Sequence, residues 1–127
     1  MTKRTVNDFE EFEKNERQLH VFYKEISALS KKSSNDGVNK FKLALINKCL
    51  QEANGAIGNP LEGFESFEES LLPSNSDVAL VLGQYVAAMY AFRKANTKSF
   101  GSSWYWMENG ERVLETGQPY NFKYQEK

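Results

Sequence analysis

The segment from Val78 to Phe92 constrains the fold more than any other part of this chain, because almost every residue in it is apolar. It is shorter than the roughly 20 residues that a helix needs to cross a bilayer, so we expect no membrane span. We interpret it instead as a helix that the rest of the domain covers on most sides. The basic residues Arg93, Lys94 and Lys98 suit the C-terminal end of a helix and argue against a strand. A third helix is therefore predicted at about 76–98.

The first helix is predicted at about 8–30. Phe12, Leu19 and Ile26 recur every seven residues within it and form a narrow apolar seam, which Asn15 interrupts. A seam of this kind packs against the chain's own core, or it pairs with a second copy in a homodimer through helix 1. The sequence alone leaves both alternatives open.

The second helix is predicted at about 38–54. One apolar stripe along it consists of Val38, Phe41, Leu45 and Cys49, and a second set widens it: Leu43, Ile46, Leu50 and Ala53. Asn54-Gly55 is typical of a helix end, because glycine adopts the left-handed conformation there without a Cβ clash. The polar segment 31–37, between the first two helices, is expected to be an exposed and mobile connection.

A short acidic helical turn is predicted after the second helix. Residues 60–77 contain five acidic side chains and no basic one. Phe64, Phe67 and Leu71 recur at three- and four-residue spacing, which favours a helical turn docked by its aromatic rings. Its acidic face would then lie in water.

The pattern changes to strict alternation after Phe100-Gly101, which predicts strands. Asn109-Gly110 is the preferred dipeptide for a two-residue hairpin turn, since both residues tolerate positive φ. With that turn, Trp106 is expected opposite Val113, Tyr105 opposite Leu114 and Met107 opposite Arg112. Alternating aromatics at 120–124 predict a further edge strand, so the hairpin or meander extends over about 103–124.

The fold class predicted from these elements is mainly α (α+β): a three-helix core with a short acidic helical turn and a C-terminal antiparallel β-hairpin or three-stranded meander. A length of 127 residues fits a single domain, 1–127. The first residues lack the apolar stretch of a secretory signal, and a lone cysteine forms no internal disulfide, so a cytoplasmic location is expected.

Side chains that could carry catalysis or bind a metal are few. His20 is the only histidine and shares a helix face with Glu13 and Glu16, an arrangement more typical of a surface ion pair than of a metal site. Cys49 lies on an apolar stripe and is expected to be buried and unreactive. No nucleophile-elbow or phosphate-loop motif is present. We therefore expect no catalytic residue, no metal and no cofactor, and a protein that is not an enzyme.

Protein–protein interaction by a small soluble protein is the favoured interpretation, with an unknown partner protein. One sheet face must cover the core, and the other is expected to display aromatic side chains. The candidate partner-binding residues are four aromatic and three acidic ones: Trp104, Trp106, Tyr120, Phe122, Glu65, Glu68 and Glu69.

Two alternatives belong to other functional classes. A nucleic-acid accessory factor would use Lys40, Lys42, Lys48 and the aromatic hairpin, although a net charge of -1 makes nucleic acid the less favoured partner. A small-molecule-binding domain would hold its ligand in a pocket between the third helix and the sheet.

Overall fold

The computed structural model describes residues 3–119, in which three helices precede a three-stranded antiparallel sheet. The helices are α1 (Val6–Lys32), α2 (Lys40–Ile57) and α3 (Asn75–Asn96), with a 3₁₀ turn at Glu69–Leu71. The strands are β1 (Thr97–Phe100), β2 (Ser103–Glu108) and β3 (Glu111–Thr116), in the spatial order β1-β2-β3. The predicted α+β fold class is confirmed. Within the described residues, no helix is long and apolar enough to cross a membrane.

The third strand of the sheet is β1, which lies before the hairpin in the chain. α3 ends at Asn96 instead of continuing to 98, because Thr97 pairs with Trp106 and its hydroxyl donates a hydrogen bond to the Arg93 carbonyl. The edge strand predicted at 120–124 falls outside the described residues.

α1 begins two residues earlier than predicted. Thr5 is its N-cap, and Thr5 and Asp8 exchange hydrogen bonds between side chain and backbone N–H in a capping box. The seam residues Phe12, Leu19 and Ile26 are all buried in the chain's own core. A homodimer contact made by these three side chains would therefore have to displace the core that they already form.

α2 extends beyond the predicted stop at Asn54-Gly55. It ends at Ile57, and Gly58 with φ 79° and ψ 161° is the residue that terminates it. Cys49 is buried, and so are all the residues that were expected only to widen the stripe: Leu43, Ile46, Leu50 and Ala53. Phe41 is 75% exposed and Leu45 43% exposed, so the first predicted stripe is only partly covered.

α3 supplies much of the core but has an exposed face. Leu82, Tyr85, Val86 and Met89 are buried, and the Tyr85 hydroxyl donates a hydrogen bond of 2.7 Å to Asn54 Oδ1. Leu80 is 65% exposed on the same helix, so the expectation of a helix covered on most sides is only partly correct.

The connection between α1 and α2 is exposed, as predicted, but it is held by hydrogen bonds to the start of α3. Asn75 N–H donates to the Asp36 carbonyl at 2.8 Å, and Ser76 N–H donates to the Ser34 carbonyl at 3.0 Å. The expectation of a mobile loop did not include these anchors, which join segments far apart in sequence.

A β-bulge shifts the hairpin register. The turn places Asn109 and Gly110 at positive φ, and Met107 lies opposite Arg112 as predicted. Beyond that pair the register shifts, so that Trp106 lies opposite Leu114 and not opposite Val113. Val113 is the extra residue of the bulge, which also moves Tyr105 away from its predicted partner.

Polar contacts fasten the sheet to the helices. Trp106 Nε1 donates to Glu13 at 2.9 Å, and Arg4 Nε donates to Glu108 at 2.8 Å. Arg93 of α3 pairs with Glu16 of α1 at 2.8 Å, and its guanidinium lies 4.8 Å from the centroid of Trp106. These charged side chains thus have structural roles at the contact between the sheet and the helices.

Candidate functional site

A cavity of about 590 Å³ opens between α1 and α2, and we call it the α1–α2 groove. Its floor is mostly apolar and contains Phe9, Phe12, Phe22, Leu45, Ala56 and Phe92. Its rim is polar and contains Asp8, Glu11, Lys14, Gln18, Lys48 and Glu52. A cavity of several hundred Å³ that combines apolar side chains with polar groups is typical of a binding site.

The groove is long and narrow because it follows two antiparallel helices. On α1 it extends from Asp8 to Phe22, about 20 Å at a rise of about 1.5 Å per residue. On α2 it extends from Leu45 to Ala56, about 16 Å by the same measure. The residues of each helix that line it recur at intervals of three and four, since one face of each helix borders the groove.

Two pairs of like charges line the groove, each with one member on α1 and one on α2. Asn15 Nδ2 donates to the Cys49 carbonyl at 3.1 Å, so these two residues lie at the same level of the two helices. Glu11 is one turn before Asn15 and Glu52 one turn after Cys49, so the two acids lie at one level. Lys14 and Lys48 immediately precede Asn15 and Cys49 and form a second pair.

None of the four charged side chains has an ion-pair partner within residues 3–119. A glutamate pair and a lysine pair, one turn apart, are therefore open to charges from outside the chain. A group of opposite charge that binds beside either pair is attracted to it.

The centre of the floor is polar. Asn15 is 5% exposed, and its Nδ2 also lies 3.3 Å from Cys49 Sγ. Burial, and to a lesser degree the charge of Glu52, raises the pKa of the Cys49 thiol to about 12. The thiol is therefore protonated at neutral pH and is a poor nucleophile. The prediction that Cys49 is buried is confirmed.

The predicted aromatic partner surface is only partly available. Trp106 is fully buried, stacks on Phe9 with ring centroids 4.7 Å apart, and is not a surface residue. It faces inward because alternate β2 residues point to the helices, and Trp104, two positions away, is half-buried. Tyr120 and Phe122 lie outside the described residues.

The three acidic candidates are exposed but do not line the groove. Glu65, Glu68 and Glu69 lie in the segment between α2 and α3. Asn47 of α2 holds that segment, because its side chain accepts from Phe67 N–H at 2.8 Å and donates to the Phe67 carbonyl at 2.9 Å. The acids form a separate surface.

The three lysines of the nucleic-acid alternative are not brought together with the aromatic hairpin. Lys40, Lys42 and Lys48 lie on α2, whereas the sheet packs against α1 and α3. Lys42 pairs with Glu25 of α1, and Lys48 lines the groove.

The outer face of the sheet carries its own aromatic and basic side chains. The Arg112 guanidinium lies 4.7 Å from the ring centroid of Phe100 and 5.2 Å from that of Tyr105. Arg112 thus already stacks on the rings that a nucleobase would use.

The His20 cluster is not arranged as a metal site. Glu13 accepts hydrogen bonds from Trp106 and Thr116, and Glu16 binds Arg93, so both carboxylates bind donors of the chain itself. No group of three or more potential metal ligands among His, Cys, Asp and Glu occurs within residues 3–119. Burial lowers the pKa of His20, Glu16 opposes that shift, and Arg93 adds to it.

The contact between α3 and the sheet is packed with aromatic rings where a pocket was predicted. Phe12 lies 5.0 Å from both Phe92 and Trp106, measured between ring centroids. The sequence did not predict the α1–α2 groove, although Asn15 interrupting the seam was a visible signal that its position differs from the rest of the core.

No family model matches this chain, and searches of the curated proteins and of the solved structures likewise found no match.

Proposed function

We propose that this chain is a non-enzymatic binding protein whose α1–α2 groove takes one amphipathic helix of a partner protein. The observation that carries the proposal is the combination, in one groove, of apolar side chains with two like-charge pairs that have no ion-pair partner within residues 3–119. Helix-in-groove recognition uses these elements: apolar anchors at helical spacing on one side and charged positions beside them.

The dimensions of the floor suit a helix. A groove about 20 Å long accommodates about 14 residues of an α-helix, which is three to four turns. The apolar surface continues beyond the cavity, because Phe41 lies one turn from Leu45 on α2 and is 75% exposed. A partner helix with apolar residues at intervals of three and four would cover this surface.

The charges specify the partner further and set its direction. An acidic side chain of the partner belongs near Lys14 and Lys48, and a basic one belongs near Glu11 and Glu52, about one turn away. Such complementarity contributes to orientation and association rate more than to affinity. The partner helix therefore carries opposite charges three or four positions apart beside its apolar face.

The absence of catalysis is part of the same proposal. Cys49, the thiol that lines the groove, is held protonated by its raised pKa. Glu13 and Glu16, the carboxylates that share a helix face with His20, bind Trp106 and Arg93. These contacts support a binding role for the groove and structural roles for the buried charges.

The experiment is selection of displayed amphipathic helical peptides on the intact chain, followed by affinity measurements with labelled peptides. We expect micromolar binders whose affinity falls at least about tenfold in Leu45→Glu, since a charge on the floor must be desolvated when the peptide binds. The matched control is Leu80→Glu, an exposed leucine on α3, which should leave binding unchanged. Circular dichroism of both variants serves as the control for folding.

The charge requirement has its own pair of variants. Lys14→Glu combined with Lys48→Glu should weaken the selected peptides and slow their association. Lys24→Glu combined with Lys40→Glu makes the same change in net charge at exposed positions that do not line the groove. Failure to select any peptide that depends on Leu45, or equal losses in the two double variants, would contradict the proposal.

A further inference from the structure

One polar side chain in the floor lacks a hydrogen bond that its chemistry allows. The Asn15 side-chain Nδ2 donates to the carbonyl and the sulfur of Cys49, but Oδ1 is closed to solvent and accepts no hydrogen bond from any residue in 3–119. The amide orientation follows from its neighbour, since exchanging O and N would place Oδ1 against the Cys49 carbonyl, a second acceptor. The unsatisfied atom is thus a buried acceptor that belongs to a residue lining the groove.

Packing alone does not explain an asparagine at this position. The α1 seam is otherwise apolar, with Phe12, Leu19 and Ile26 buried beside it. Cys49 lies inside α2, so its carbonyl also accepts from the backbone N–H four residues later. It therefore stays satisfied without Asn15. A buried acceptor with no partner destabilises the free protein, whereas a hydrocarbon of similar size there does not.

We propose that Asn15 is a specificity-determining residue of the groove, whose Oδ1 accepts a hydrogen bond from an N–H or O–H on the apolar face of the bound helix. The inference rests on the proposed function. It specifies that one of the partner helix's side chains in the groove carries a hydrogen-bond donor, whereas the others are hydrocarbon. A site that hydrogen-bonds a donor discriminates strongly against an analogue lacking it, because the buried acceptor then stays unpaired.

Access to Oδ1 requires a local movement. Because the atom is closed to solvent in the free chain, a partner donor reaches it only when a side chain of the floor turns aside. Phe22 is half-buried and Leu45 is 43% exposed, and both line the groove. Rotamer changes of interface side chains are common when partners bind.

The test repeats the peptide selection in parallel on the wild-type chain and on Asn15→Leu. Peptides selected on the wild type should carry a donor residue such as Ser, Gln or Trp at one fixed position of the apolar face. They should bind Asn15→Leu about tenfold more weakly, about 1.4 kcal/mol. Replacing the donor residue by Leu in the peptide should remove most of this difference. Gln51→Leu removes an exposed amide of α2 that does not line the groove and should change the affinity by less than about twofold.

The outcomes separate this inference from the proposed function. One outcome is that the selected peptides depend on Leu45 but carry only hydrocarbon anchors and bind the wild type and Asn15→Leu equally. That result overturns the role of Asn15 and leaves the groove proposal standing. No Leu45-dependent peptide overturns both. Asn15→Leu should be at least as stable as the wild type in urea unfolding. A large loss of stability would show that the bonds to Cys49 hold the helices together, and it would also overturn the inference.

Discussion

Gly55 offers a decisive test of where α2 ends. As the end of the helix it would need a positive φ, and replacing it by alanine would then destabilise the protein. In the structure it lies inside α2 with a φ outside the positive range, is exposed, and has no atom within 4 Å of the position of an added Cβ. Gly58 has the terminating conformation instead, at φ 79° and ψ 161°. The two glycines therefore respond to the same substitution in opposite directions.

The magnitudes follow from these conformations. Gly55→Ala should stabilise the fold by about 0.5–1 kcal/mol, because alanine loses less backbone entropy when it enters a helix. Gly58→Ala should cost about 1–3 kcal/mol, since its backbone conformation is nearly exclusive to glycine. With an unfolding entropy of about 2 cal/mol/K per residue, Tm should rise by about 2–4 °C in the first variant and fall by roughly 4–11 °C in the second.

The assay is thermal and urea unfolding of the full chain, followed by far-ultraviolet circular dichroism, with both variants measured beside the wild type. The slope of the urea transition should be unchanged, because neither substitution alters the surface exposed on unfolding. A Gly55→Ala variant destabilised as much as Gly58→Ala would mean that α2 stops at Asn54-Gly55. The end of the groove near Ala56 would then not exist as described.

Two further predictions concern titrating groups. The pKa of about 12 at Cys49 predicts that a thiol reagent at mildly alkaline pH modifies the native chain roughly a thousandfold more slowly than the unfolded chain. Modification rates within tenfold of each other would contradict the burial of the thiol. Hydrogen bonds from the Arg4 backbone and side chain lower the pKa of Glu108, so its stabilising contribution is present above the unfolded-state pKa and is lost as the pH falls through the lower native value. Glu108→Gln should accordingly flatten the acid limb of the stability profile in urea unfolding, and an unchanged limb would show that the contact contributes nothing.

The sequence predicted the secondary-structure elements better than it predicted which of their side chains are buried. Local rules on helix ends hold at the starts of α3 and α2, where Ser74 and Asn39 accept hydrogen bonds from backbone N–H groups. The same reasoning ended α2 at Gly55, because glycine after asparagine is a common stop. That rule concerns residues a few positions apart and contains no information on which of two nearby glycines adopts positive φ.

The candidate site was beyond sequence reasoning for a related reason. Phe41 and Leu45 looked as much like core as Leu43 and Ile46, since both pairs lie on apolar faces of one helix. Which face is covered depends on where α1 and α3 lie. The charges of the groove likewise form like-charge pairs only because α1 and α2 run antiparallel with Asn15 beside Cys49.

Local sequence therefore sufficed for the three helices, for the hairpin turn at Asn109-Gly110 and for the burial of Cys49, because periodicity and turn chemistry act between near neighbours. Tertiary packing alone decided the rest. It turned Trp106 inward, placed the bulge at Val113, left Leu45 uncovered and left Asn15 Oδ1 without a donor. Those outcomes depend on contacts between segments far apart in the chain, where the entropy of closing loops and the shape of the opposing surface select one arrangement among several.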